Sequence, residues 1–183
     1  MFEPVTLITA RLRVRPLEPS DARAFFTIWS DAEAMRYFSF APMQHAHEAE
    51  TRIEKKLQAI DKGEVFLSAI ETLDSGEVVG SCDLFHLNTQ CRRAEIGFSL
   101  QRQHWGKGYM SEAAAAVVEY AFDTAHLIRL EADIDPRNLA SARVLERLNF
   151  AREGLLRERW IVGDDISDSA LYGLLQRDWR ARV

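Results

Sequence analysis

The feature that most limits what this chain can fold into is a strand-like run that stops at a pair of glycines and restarts as a helix. Ala94-Glu95-Ile96-Gly97-Phe98-Ser99-Leu100 reads as a strand, Gln103-His104-Trp105-Gly106-Lys107-Gly108 follows, and residues 109–122 are apolar and helical. In that order the first N–H groups of the helix lack an intrahelical acceptor and lie at the positive end of its dipole. Such a terminus takes a phosphate or pyrophosphate. Gly106 and Gly108 let backbone approach the anion without a Cβ between, and Lys107 adds a cation. The alternative is a tight β-to-α turn and nothing more. A P-loop needs four residues between its glycines, whereas Lys107 alone separates these two. The dinucleotide fingerprint needs a third glycine where Ser111 stands.

One domain over 1–183 is expected, because 183 residues divided in two would leave each half marginal. A net charge of −5 argues against a general nucleic-acid surface and is compatible with a cationic acceptor. Cys82 and Cys91 are too few for a disulfide scaffold or a thiolate metal cage. His45 and His47, if helical, would point about 200° apart, which argues against a shared metal; no metal is expected. Without an apolar run of about 18 residues or a secretory-type start, no membrane association and a cytoplasmic location are expected.

Residues 6–17 read as a first strand, followed by a short helix capped by Ser20 or Asp21. Residues 31–43 are irregular and aromatic; Tyr37, Phe38 and Phe40 are candidates to lie over an acceptor pocket if the glycine loop holds a cofactor, and core packing is the alternative. Residues 46–60 are amphipathic, 65–70 and 78–87 are strands about an Asp74-Ser75-Gly76 turn, and 92–100 is the next strand, so the sheet begins as an antiparallel meander. Residues 127–135 alternate apolar and charged; after a helical crossover this strand runs parallel to the one before the loop, with one face toward a cleft or solvent. Asn138 is an N-cap candidate for a second crossover, and 151–162 with 166–175 form a closing hairpin about Gly163-Asp164-Asp165. The fold class is mixed α/β.

The run Glu95-Ile96-Gly97-Phe98, then Gln103-x-x-Gly106-x-Gly108, then Asn138-x-x-Ser141 followed by Arg143-Val144-Leu145-Glu146-Arg147-Leu148-Asn149-Phe150 resembles the GNAT acetyltransferase superfamily in order and spacing. The opening Leu7-x-Thr9-x-Arg11-Leu12-x-Val14-Arg15, Glu153-Gly154 and residues 168–179 are similar to the branch of the ribosomal-protein alanine acetyltransferases. The resemblance covers almost the whole chain. It implies the GNAT fold: a mostly antiparallel sheet, flanked by helices, in which the strand before the loop parts from its parallel neighbour.

It also implies acetyl-CoA as cosubstrate. Phe98, Ser99 and Leu100 would bond the pantetheine arm and polarise the thioester carbonyl; Gln103, Gly106, Lys107, Gly108, Tyr109 and Met110 would hold the pyrophosphate. Asn138 would bond the pantetheine and Ser141 would lie near the sulfur, although both also suit helix capping. Where many members carry a tyrosine acid this chain has Leu145, leaving Ser141, a water or no dedicated acid to serve the thiolate. Glu95 is the first candidate base, with an exposed strand carboxylate as its alternative, and Asp83 and Glu131 come next. Arg143 and Arg147 suit either the 3′-phosphate or a solvated helix face. The expected acceptor is a protein or peptide N-terminal α-amine. A polyamine, aminoglycoside or amino-acid derivative is the alternative, as is a non-catalytic acyl-CoA-binding module; either a monomer or a homodimer is compatible.

Overall fold

Alternating apolar and basic residues near the start of the chain fold back on themselves. In the computed structural model, which describes residues 2–60 and 62–181, they form β1 (Leu7–Ile8) and β2 (Leu12–Pro16), paired antiparallel, in place of one strand over 6–17. The turn is set by Thr9: its N–H donates to the Leu12 carbonyl at 2.9 Å, and its Oγ1 accepts from the Leu12 N–H at 3.0 Å. After α1 (Ala22–Trp29), α2 (Ala32–Met35) and α3 (Ala46–Ile60) come β3 (Ser68–Thr72), β4 (Val78–Asn88) and β5 (Arg93–Leu100). β3 starts later than Val65, because just before Ser68 the chain makes an isolated bridge, Phe66 to Leu84, and one bond from the Leu17 N–H to the Leu67 carbonyl at 3.3 Å, in place of a continuous ladder. Gly63, at φ 67°, stops α3 by returning its N–H to the Ile60 carbonyl at 2.8 Å.

The second half alternates helix and strand: α4 (Tyr109–Glu119), β6 (Arg129–Ile134), α5 (Leu139–Arg147), the hairpin β7 (Ala151–Val162) and β8 (Asp165–Leu175), and a terminal α6 (Gln176–Arg180). The sheet order is β1-β2-β3-β4-β5-β6-β8-β7. Every adjacent pair is antiparallel except β5–β6, joined by the α4 crossover.

The two faces of the sheet are covered unequally. α4 and α5 bury one of them, with Leu12, Ile70, Leu84, Ile96 and Leu130 meeting Ala113, Val117 and Leu145. The other carries a smaller cluster in which Phe25, Ile28, Trp29 and Ile53 from α1 and α3 pack on Ala69 and Val78. No residue of β5, β6 or β8 belongs to that second cluster among the described residues, so this face is covered only as far as β4. Among the described residues no helix is long and apolar enough to cross a membrane.

Candidate active site

The parallel pair is short. β5 and β6 are in register only at Arg93–Arg129, Ala94–Leu130 and Glu95–Glu131, after which β5 continues to Leu100 and β6 to Ile134 unpaired with each other. The direction of the free peptide groups follows from β4. Leu84 exchanges both backbone bonds with Phe66, and Ser68 engages the N–H and C=O of Cys82, so the even residues of β4 turn toward β3. Their antiparallel partners, Ile96 and Phe98, therefore turn away from β4 and into the gap, as does Leu100. Ser99 does not. Its main chain faces β4, and its Oγ meets Ser81 Oγ at 3.1 Å. The Leu100 carbonyl is also engaged, accepting from Trp105 Nε1 at 2.9 Å, which leaves its N–H.

At the open end of this gap lies the glycine loop. Gly106 and Gly108 have φ of 74° and 79°, a left-handed conformation that side chains adopt at a cost. Gly108 is the N-cap of α4, and among the described residues no side chain caps the helix. The N–H groups of Gly106, Lys107, Gly108 and Tyr109 find no acceptor among the described residues, and a Cβ at Gly106 would have no atom within 4 Å. Free donors at an uncapped helix start, facing open space, fit a pyrophosphate. Gln103 turns elsewhere: its Nε2 donates to Glu77 Oε1 at 3.1 Å and to Gln101 Oε1 at 2.9 Å, bracing the loop rather than facing an anion.

The loop is also held from β2. Glu112, in the first turn of α4, accepts from Thr9 Oγ1 at 2.6 Å, Arg11 N at 2.8 Å and Arg11 Nε at 2.7 Å. Arg11 Nη1 donates to the Lys107 carbonyl at 3.0 Å, and its guanidinium lies 4.8 Å from the Tyr109 ring centroid. A second cation thus stands beside Lys107. In the sequence Arg11 stands out only as part of the opening motif, and nothing local marks Glu112.

α5 starts beside the end of β6. Asn138 Oδ1 accepts from the Ser141 N–H at 3.0 Å, so the side chain is the N-cap while its Nδ2 can still donate. Asn138→Ala should cost about 1 kcal/mol, lowering the melting temperature by roughly 2–4 °C in a thermal melt. Ser141 is partly exposed, and Leu145 is fully buried in the main core. As leucine it has no proton to give a leaving thiolate.

The carboxylates near the gap divide by their partners. Glu95, at the closed end, pairs with His86 Nδ1 at 3.0 Å. Asp83 is tied to Lys56 Nζ at 3.1 Å and the Ser68 N–H at 2.9 Å. Glu131 is held by Arg129 Nε at 2.8 Å and by Arg93 Nη1. Of the loop aromatics, Phe38 and Phe40 pack into the smaller cluster. Tyr37 is brought to the end of β6, where Arg137 lies 5.9 Å from its ring centroid and is paired with Asp135 at 2.6 Å and Asp165 at 2.7 Å. His45 precedes α3 rather than lying within it, so its ring stacks on that of His47 at 5.5 Å instead of diverging. No group of three metal-ligating side chains occurs among the described residues.

Comparison with known proteins agrees with this geometry. Residues 11–151 match the sequence model of the Acetyltransferase (GNAT) domain. "Uncharacterized N-acetyltransferase p20" of Bacillus licheniformis is 34% identical, over 95% of this chain and 98% of its own. Among solved structures, an acetyltransferase (GNAT family) from Bacillus anthracis superposes with a TM-score of 0.84 at 25% identity, covering 94% of this chain and 99% of that one. RimJ of Mycobacterium smegmatis, solved in complex with CoA-disulfide, superposes with a TM-score of 0.83 at 23% identity, over 91% of this chain and 83% of that one.

Proposed function

The chain belongs to the GNAT acetyltransferase family as an N-acetyltransferase, and from that premise we propose that it moves the acetyl group of acetyl-CoA to the N-terminal α-amine of a protein or peptide. The observation that carries the cofactor half of this reading is the meeting of free amides at 106–109 with a parallel strand pair that parts after Glu95. RimJ, which shares the fold, was solved with a CoA disulfide.

When bound, acetyl-CoA supplies an activated acetyl thioester and a thiol as leaving group. The chain would supply position, hydrogen bonds and proton transfer. The amides from Gly106 to Met110, with Lys107 and Arg11 nearby, would hold the pyrophosphate. Main-chain groups of Phe98 and Leu100 would bond the arm and favour charge on the acyl oxygen, and Asn138 Nδ2 would donate to the arm. The attacking nitrogen must give up one proton, for which Glu95, acting through water, is the base. The departing sulfur takes up one, for which the Ser141 hydroxyl is the donor. An α-amine, with a pKa near ~8 against ~10.4 for lysine, is already partly neutral near pH 7.5 and asks little of that base. A carboxylate already shared with His86 suits such an acceptor.

A small polyamine or amino-acid derivative is the second reading, favoured by the acid-bearing face beside the gap, where Glu95, Glu131 and Asp133 lie. One experiment separates these from each other and from a non-catalytic acyl-CoA-binding module. Free thiol is followed with acetyl-CoA and a panel of N-terminal peptides, polyamines and amino-acid amides. Turnover of peptides above small amines is expected. Preference for a small amine would move the assignment to the second reading, and tight acetyl-CoA binding without thiol release from any acceptor would end the enzymatic one.

A further inference from the structure

We propose that Asp133 receives the ammonium group of the acceptor and so determines that this site takes positively charged aliphatic amines. The proposal rests on the acetyl-transfer reading and adds to it the residue that meets the second substrate. Leu130 and Ala132 of β6 point into the core beneath α4 and α5. Alternation along the strand therefore turns Glu131 and Asp133 to the opposite face, the one that α1 and α3 leave open beyond β4. With α4 and α5 filling the first face, an acceptor has only this one to enter by.

Extending the Glu95–Glu131 register by two residues sets Asp133 across from Gly97, at the level where the strands are no longer joined. The wall opposite is bare, and it has to be: a Cβ at position 97 would lie 2.8 Å from the Phe85 ring. Of the acids around this opening, Glu95, Asp83 and Glu131 are each taken up by the partners described above. Asp133 differs. Its Oδ2 accepts from Arg159 Nε at 3.1 Å, while Oδ1 is buried and has no partner among the described residues. The side chain is 15% exposed, and the cation paired with it, Arg159, is 47% exposed. A desolvated carboxylate oxygen without a donor is costly to the free protein. An alkylammonium brings N–H donors to this oxygen and shares the carboxylate with Arg159. Once one proton has passed to solvent, the neutral amine stands beside the gap through which the acyl group would be presented, and its attack then proceeds with the proton transfers given above.

The test compares wild type with Asp133→Asn, which keeps the shape and removes the charge. With the best amine from the acceptor panel, kcat/KM should fall about 100-fold, the size expected on removing one partner of a buried charge pair. The KM for acetyl-CoA should hold, and the unliganded variant should melt close to wild type, because the pair it gives up is to a half-exposed Arg159 and asparagine relieves the desolvated charge on Oδ1. Retention of kcat/KM, or a loss accompanied by a lower melting temperature and a raised acetyl-CoA KM, would overturn the assignment. If the wild type releases thiol with no amine at all, the acetyl-transfer reading fails by itself. Thermal shift in the presence of CoA then decides this one, using alaninamide, spermidine and an N-terminal peptide as probes. Stabilisation of wild type but not of the variant supports Asp133 as the ammonium site; equal stabilisation of both, or of neither, rejects it.

Discussion

Gly108→Val should lose acetyl-CoA affinity by about 1,000-fold in calorimetry while keeping a native circular dichroism spectrum. Gly108 is the N-cap of α4 at φ 79°, and a β-branched residue held there is strained by about 2 kcal/mol. If the residue relaxes to negative φ, the strain goes but the amides around it no longer converge. Each charge-assisted bond lost is worth about 1.5–3 kcal/mol, so losing two by this relaxation removes roughly 4 kcal/mol of binding, close to a thousandfold. Space does not provide the penalty, since a Cβ would meet only the end of Arg11 at 3.5 Å. Unchanged affinity in the valine variant would mean that the pyrophosphate is held elsewhere.

Glu112→Ala should lower the melting temperature by roughly 5–10 °C and weaken acetyl-CoA binding about tenfold, although the side chain would touch no substrate. Its removal takes the acceptor from the Arg11 N–H and from two sides of a guanidinium at once, and leaves Thr9 Oγ1 with Leu12 alone. Arg11 is 49% exposed and Glu112 18%, so solvent screening holds the cost to about 2–3 kcal/mol. The binding loss follows because Arg11, no longer oriented, lets go of the Lys107 carbonyl. The sign with pH is fixed by the carboxyl. Burial pushes it upward, but bonds from Thr9 and Arg11 outweigh that and hold it below the ordinary glutamate range. The stabilisation is therefore complete above the unfolded value near ~4.3 and is lost as pH falls through the lower folded one. Melting temperatures of wild type and variant should converge on acidification below about pH 4. A constant difference across that range would show that Glu112 acts through packing.

What could be read from the sequence was local. The glycine loop, the Asn138 cap, the parallel crossover and the closing hairpin are each written in a few adjacent residues, and the structure has them where spacing put them. What escaped depends on residues far apart in the chain. Arg11 and Glu112, 101 positions apart, meet because β2 and α4 lie side by side. Glu131 and Asp133 look alike as alternating acids on one strand; only the folded arrangement hands two arginines to the first and leaves an oxygen of the second bare. Likewise Ser99 shares a strand with Phe98 and Leu100, but backbone parity turns it to the wrong side, and parity depends on which residues of β4 are already bonded to β3.

The rim of the opening between β5 and β6 is made of peptide groups. Nearly any side chain can stand at Ile96, Phe98 or Leu100 without altering what a passing acyl chain would meet there, provided the core face stays filled. Alanine scanning would thus register lost core packing at these positions and miss what their peptide groups do. Only proline, which deletes the amide itself, or an inserted residue, which reverses the alternation, would close it.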